Sequence, residues 1–237
     1  MRLASAYVLH QYAYRDTSRI VEVFTAGHGR LTLFARGAAA PKSGLRAALR
    51  PFQRLLVSWS GKGEACQLLT AEIDGMATSL PSERLMCGFY LNELLLRLTV
   101  RCDPHPAIFD SYSEAVHELG AGGEEEYHLR RFEKRLLQDL GYGLELSQTD
   151  EGKPIELDGF YRFTAASGPQ PCVADAPGAV YGKSLADLEA GAFADVRSLR
   201  DAKRVLRAAI DACLEGRALK SREVLIEMRQ REQSWAS

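Results

Sequence analysis

Over roughly the first third of the chain, apolar positions come in short runs broken by turn residues. Five runs, 6–14, 19–25, 30–36, 53–59 and 66–73, are rich in Val, Leu, Tyr, Phe and Thr. Leu31-Thr32-Leu33 alternates cleanly, whereas 20–24 alternates only in part. Arg15-Asp16-Thr17, Gly27-His28-Gly29 and Gly61-Lys62-Gly63 supply turns between them. Closing five short strands into a barrel leaves no unpaired edge. The pattern therefore predicts a five-stranded OB-fold, with an SH3-like barrel as the alternative.

Between the third and fourth strands, 37–50 has small and basic residues with no apolar face in its first half, which reads as a loop. Its second half, 45–49, fits a short helix. From residue 82 the apolar period becomes helical. Leu85, Phe89, Leu94, Leu95 and Leu98 form one stripe, and Leu129, Phe132, Leu136, Leu137 and Leu140 another. The expected helices are 82–100, 107–119, 124–140, one opening at Ser184, then 198–214 and 221–231. Ser184 and Asp187 have the spacing of a capping box. The stretch 144–182 loses the helical period, and a small hairpin pairing 160–163 with 172–173 is expected there. Residues 233–237 read as a disordered tail. The expected class is α+β, with an OB-fold domain at 1–79. A mainly helical domain at 80–237 would follow, carrying an irregular or hairpin insert at about 144–182.

The composition, 46% hydrophobic and 26% charged over 237 residues, supports a packed core. No run approaches the roughly 20 apolar residues of a membrane span, and the first residues lack a signal-peptide pattern. These features place the expected location in the cytoplasm. Cys66, Cys87, Cys102, Cys172 and Cys213 are odd in number, scattered and without a C-x-x-C pair, so reduced and mostly buried thiols are expected.

Charge changes the picture more. The net charge is −1, yet residues 1–80 carry ten basic and five acidic side chains, and the remainder carries 20 and 26. Between Glu22 and Glu64 stand seven Lys or Arg and no carboxylate. Such asymmetry points to a polyanionic partner, because Lys and Arg bind phosphates by releasing counterions. The residues expected to do so are Arg30, Arg36, Lys42, Arg46, Arg50 and Arg54. Phe34, Phe52 and Trp59 are aromatics that would either stack on bases or fill the core, the core role being commoner for large apolar residues. The plain alternative for the charges is a solvated face.

A second cluster is Leu129-Arg130-Arg131-Phe132-Glu133-Lys134-Arg135. Its like charges recur at i,i+4, which costs a little stability. Four cations beside an apolar groove suit an acidic peptide with a terminal carboxylate. The alternative is a solvent-facing helix surface on which Glu126 and Glu133 relieve the repulsion. Gly178-Ala179-Val180-Tyr181-Gly182-Lys183-Ser184 is one residue short of a phosphate loop and lacks its βαβ frame, so it reads as a turn. No metal or nucleophile constellation is found around the histidines, and Glu124-Glu125-Glu126 suits a helix N-terminus.

In order along the chain stand Gly29-Arg30, Ala35-Arg36-Gly37-Ala38, Leu49-Arg50-Pro51-Phe52, Tyr90-Leu91-Asn92-Glu93-Leu94-Leu95, Leu129-Arg130-Arg131-Phe132-Glu133, Leu140-Gly141-Tyr142-Gly143 and Leu219-Lys220-Ser221-Arg222-Glu223. In these stretches the sequence resembles the bacterial RecO family of recombination mediator and DNA repair proteins. The resemblance implies an OB-fold, a helical C-terminal domain, no enzymatic turnover and association with the nucleoid. It implies binding of single- and double-stranded DNA, annealing of complementary strands, and work with RecR to load RecA onto DNA coated by single-stranded-DNA-binding protein (SSB). It also implies docking of the acidic SSB C-terminal tail on the helix at 124–140, at Arg130 and Leu140, with Arg131 and Lys134 beside them. Some members hold zinc with four cysteines after that helix. Here only Cys172 lies in 141–182, so neither zinc nor any other cofactor is expected. A protein-only scaffold and an RNA-binding OB protein remain open alternatives. A nuclease is disfavoured by the few acids near the barrel.

Overall fold

The computed structural model describes residues 3–40, 43–63, 65–76 and 79–235. Five strands, β1 (Ala4–Tyr14), β2 (Ser18–Thr25), β3 (Gly29–Ala35), β4 (Arg54–Ser60) and β5 (Ala65–Ile73), close a barrel in the order β1-β2-β3-β5-β4. All pairs are antiparallel except β3 with β5. This is the expected OB-like barrel. Val8, Val21, Val23, Leu31, Leu33, Leu55, Val57 and Leu68 fill its interior.

One irregularity sets which side chains face outward. The β1–β2 register slips between Val8 and His10, leaving Leu9 as an extra residue. A bulge moves every later side chain to the opposite face. Ala6 and Val8 therefore point into the barrel, whereas His10, Tyr12 and Tyr14 point out. Simple alternation read along β1 misses this change of phase.

The short helix α1 (Gly44–Ala48) fills the β3–β4 connection. A 3-10 turn at Ser82–Arg84 leads into α2 (Leu85–Leu98), followed by α3 (Pro106–Ala121). The expected 82–100 helix thus opens with one tighter turn. Gly88 sits where a Cβ would lie 2.6 Å from the Phe52 ring and 2.5 Å from Leu80. A glycine there lets Phe52, itself at φ 65°, enter the core beside α2.

The remaining elements are α4 (Glu125–Asp139), β6 (Phe160–Thr164), β7 (Gly168–Pro171), β8 (Val180–Tyr181), α5 (Gly182–Ala190), α6 (Val196–Cys213) and α7 (Lys220–Trp235). By compactness the chain divides into a unit of 1–123 with 219–237 and a second unit of 124–218. The barrel thus shares a unit with α2, α3 and α7. The sequence-based division at 79/80 follows the change from strand to helix instead.

Three local expectations are corrected. The hairpin partner of β6 is 168–171, because a three-residue turn brings Gly168, at φ 74°, opposite Thr164. Only the Cys172 N–H reaches back to Phe160 O. The helix expected to open at Ser184 begins at Gly182, with Tyr181 as its N-cap and no side-chain cap bond. A Cβ at 182 would fall 2.0 Å from Glu156 O, so the near phosphate-loop glycine serves close backbone contact. Finally, α7 continues through Trp235 where a disordered tail was expected; 236–237 lie outside the described residues. Of the cysteines, all free, only Cys66 is buried and Cys102 is exposed.

Candidate nucleic-acid interface

Cross-strand pairing builds the barrel's outer face row by row. Tyr12 pairs with Ile20 and Tyr14 with Ser18; Ile20 pairs with Phe34, and Phe34 with Gln67. Tyr12 and Tyr14 are 51% and 37% exposed, well above what apolar strand residues need. Tyr14 meets Phe34 edge-on at 5.6 Å, and His10 meets Tyr12 at 4.4 Å. Arg15, at the hairpin tip, lies over the Tyr14 ring at 5.3 Å. Ring faces and edges spread on an open β-surface are a stacking platform for bases.

The basic connection is held against the same hairpin. Ala39 N–H donates to Thr17 O (2.8 Å), and Gln11 Nε2 donates to Leu49 O. Arg36 leaves the end of β3, Arg46 projects from α1 and Arg50 follows it; all three are exposed. Lys42 lies outside the described residues.

Two of the expected cations are placed differently. Arg30 is on the outer face of β3, but its side chain is only 13% exposed. Its guanidinium donates to Thr99 O (2.9 Å) and to Glu22 Oε2 at 3.5 Å. Burial pulls its pKa down, with Glu22 opposing. Arg30 is thus a largely covered partner of the buried Glu22, which also accepts from Thr32 (2.8 Å) and Arg101 (2.8 Å). Arg54 is half-exposed and bound to Asp74 at 2.8 Å. Phe52 is core, while Phe34 and Trp59 are half-buried.

Sequence reasoning missed Tyr12, Tyr14 and Arg15 as parts of the interface. Their signal was available in the i,i+2 recurrence of His10, Tyr12 and Tyr14 next to a polar turn. The bulge that turns them outward has no sequence mark.

Elsewhere, α4 carries the second expected cluster. Arg130 is 4% exposed and donates to Glu133 Oε1 at 2.7 Å, with Glu126 at 3.7 Å. The relief of repulsion by those two acids is realised, and it takes Arg130 off the surface. Arg131 is exposed, its guanidinium 5.6 Å from the Tyr127 ring centre. Lys134 donates to Glu189 O, and burial pulls its pKa down. The recess beside Lys134 measures about 10 Å³, room for no more than about one water. Leu140 is half-buried at the C-cap of α4.

No group of three or more His, Cys, Asp or Glu among the described residues is placed to hold a metal ion, and no helix among them is long and apolar enough to cross a membrane.

Comparison with known proteins supplies the context for this face. Residues 1–75 match the family model described as Recombination protein O N terminal, and residues 82–223 match Recombination protein O C terminal. The chain is 46% identical over 232 residues to the DNA repair protein RecO of Azoarcus sp. (strain BH72), covering 94% of this chain and 95% of that protein. It is 43% identical over 231 residues to the DNA repair protein RecO of Dechloromonas aromatica (strain RCB), covering 95% of each. To that of Methylococcus capsulatus (strain ATCC 33009 / NCIMB 11132 / Bath) it is 43% identical over 223 residues, 94% of this chain and 92% of the relative.

Proposed function

Since the chain belongs to the RecO family of DNA repair proteins, we propose that it binds single- and double-stranded DNA on the outer face of its barrel and anneals complementary strands. With RecR it would help load RecA onto SSB-coated DNA. The observation that carries this reading is the meeting of exposed rings, Tyr12 and Tyr14, with exposed cations, Arg15, Arg36, Arg46 and Arg50, around one hairpin. The cations neutralise phosphates and release counterions, and the rings accept unpaired bases in any sequence. Two strands held in a neutralised, concentrated state approach each other, and base pairing supplies the drive. No bond-making step is assigned to the protein.

Recruitment to coated DNA would come from the SSB tail on α4. Arg131 and Lys134 are the cations offered there, with Leu140 as apolar neighbour. Arg130 acts from beneath, by fixing Glu133 and the helix surface.

Fluorescence anisotropy of a labelled single-stranded oligonucleotide at two salt concentrations tests the first part. Wild type should bind tightly at low salt and weaken steeply with salt. An Arg36/Arg46/Arg50→Ala variant should lose most of that affinity. Absent binding, or binding indifferent to these changes, moves the weight to a protein-only scaffold. In the same format, a labelled acidic peptide ending in Phe should lose affinity for an Arg131/Lys134→Ala variant.

A further inference from the structure

Beyond the hairpin, the outer face of β1 opens into a groove of about 660 Å³ bounded by β1, α2 and α7. We propose that this groove receives the continuation of a bound single strand, one or two unpaired nucleotides beyond those on the Tyr14 platform. The inference rests on the DNA-binding reading above and adds the strand's path.

Continuity comes first. His10 and Tyr12 belong both to the outer face of β1 and to the groove wall. A strand stacked on Tyr14 and Tyr12 would therefore reach the groove along one face of β1. Across from Tyr12, Phe89 of α2 is 41% exposed, held edge-on against Phe52 at 5.2 Å. Two large rings from two different elements thus line the same space, where a base could stack on either. The volume lies within the roughly 300–1,000 Å³ of small-molecule clefts, enough for a nucleotide-sized ligand.

Charge favours an anion. Four cations line the groove, Arg30, Arg97, Arg101 and Lys220, against two carboxylates, Glu22 and Glu93. Both carboxylates are neutralised from within. Glu22 holds Arg30 and Arg101. Glu93 accepts the Lys220 and Ser221 N–H groups (3.0 and 2.8 Å) and the Ser221 hydroxyl (2.7 Å), and it pairs with Arg97 at 3.6 Å. The four cations and two carboxylates leave a net charge of +2 on the lining, and Lys220 is exposed at the rim. Rings facing guanidiniums over a run of backbone are how single strands are held without sequence preference.

The test measures affinity of the full chain for an oligothymidylate series of increasing length. Four proteins are compared: wild type, two groove variants (Phe89→Ala and Lys220→Glu) and a platform variant (Tyr14/Arg36→Ala). Melting curves check that each folds. For wild type, affinity should step up once the oligonucleotide is long enough to reach the groove. Both groove variants should lose that step, about five- to tenfold, while keeping the affinity of the shorter oligonucleotides. If the groove variants bind every length as wild type does, the groove proposal is overturned while the platform stands. If all proteins, platform variant included, bind alike or not at all, the DNA-binding reading itself fails. A groove variant that instead loses only an acidic, Phe-ended peptide assigns the groove to a protein partner and overturns the nucleotide path. Because Lys220 is a surface residue, its variant keeps the test decisive if Phe89→Ala melts early.

Discussion

The barrel's outer face and the α4 surface both announce themselves in the sequence as runs of cations, and the fold treats them in opposite ways. Arg36, Arg46 and Arg50 end up exposed around the β1–β2 hairpin. Arg130 ends up 4% exposed, pinned by Glu133 at 2.7 Å. What separates them is where the acids fall. No carboxylate stands in the sequence between Arg30 and Lys62, so nothing local draws those arginines down. On α4, Glu126 and Glu133 stand four before and three after Arg130, on its own side of the helix. Arg30 shows the same rule within one strand. It shares the outward face of β3 with Thr32 and Phe34, yet Glu22, one strand away, claims it. An acid one helical turn or one strand away decides whether a cation of such a run is drawn into the fold or left at the surface.

The sharpest way to break this contrast is Arg130→Ala. It should destabilise the protein by about 3–5 kcal/mol, since Glu133 stays buried without its guanidinium. Arg36→Ala should change stability by no more than about 0.5 kcal/mol. Chemical denaturation of both variants reads the difference, and equal effects would erase the distinction between the two regions. Next, Arg36/Arg46/Arg50→Ala should lower the slope of log affinity against log salt for single-stranded DNA by about 2. The corresponding slope for Arg130→Gln should match wild type. Replacing the ring of Tyr14 by Ala should cost roughly 1 kcal/mol of single-strand affinity, with little change in the salt slope, because stacking rather than charge is removed.

A further modest effect concerns Glu93. Burial pushes its carboxyl pKa up, but the Ser221 and Lys220 donors outweigh this and hold it below the usual range. A depressed carboxyl pKa stabilises the fold above the ordinary carboxylate range, and that stability is lost as pH falls through the lower folded value. Glu93→Gln should therefore cost roughly 1 kcal/mol at neutral pH. The gap between variant and wild-type melting temperatures should close as the solution is acidified below the carboxylate range. A gap that stays constant would mean that Glu93 does not tie α7 to α2 through its charge.

The barrel was legible because its signals are local. Gly27-His28-Gly29 and Gly61-Lys62-Gly63 punctuate the chain where strands end, and Leu31 and Leu33 alternate as a half-buried strand must. The helices from 85 onward were readable for the same reason, an apolar stripe repeating every three to four residues. What escaped depends on partners far away in sequence. Nothing near Arg30 announces Glu22 across the sheet and Thr99 beyond it. The hairpin register at 168–171 rests on a turn of three ordinary residues, and the opening of α5 on close packing of Gly182 against Glu156. Within the candidate site, Arg36, Arg46 and Arg50 were legible as charge. Tyr12 and Tyr14 were hidden, because a strand reader assumes large rings face inward.

Leu9 works like a frameshift in a message written with a two-letter repeat. Upstream of it the letters at even positions spell the barrel's interior; downstream the same positions spell its outer face. One strand thereby contributes to a dry core and to an open surface without a break in the chain. The tolerance of β1 to change is accordingly lopsided. Substitutions at its outward positions edit single letters, whereas deleting a paired residue such as Gln11 would garble the rest of the strand, turning Tyr12 and Tyr14 toward the apolar interior. Deleting Leu9 itself would only close the bulge, because Val8 and His10 already stand opposite Val23 and Glu22.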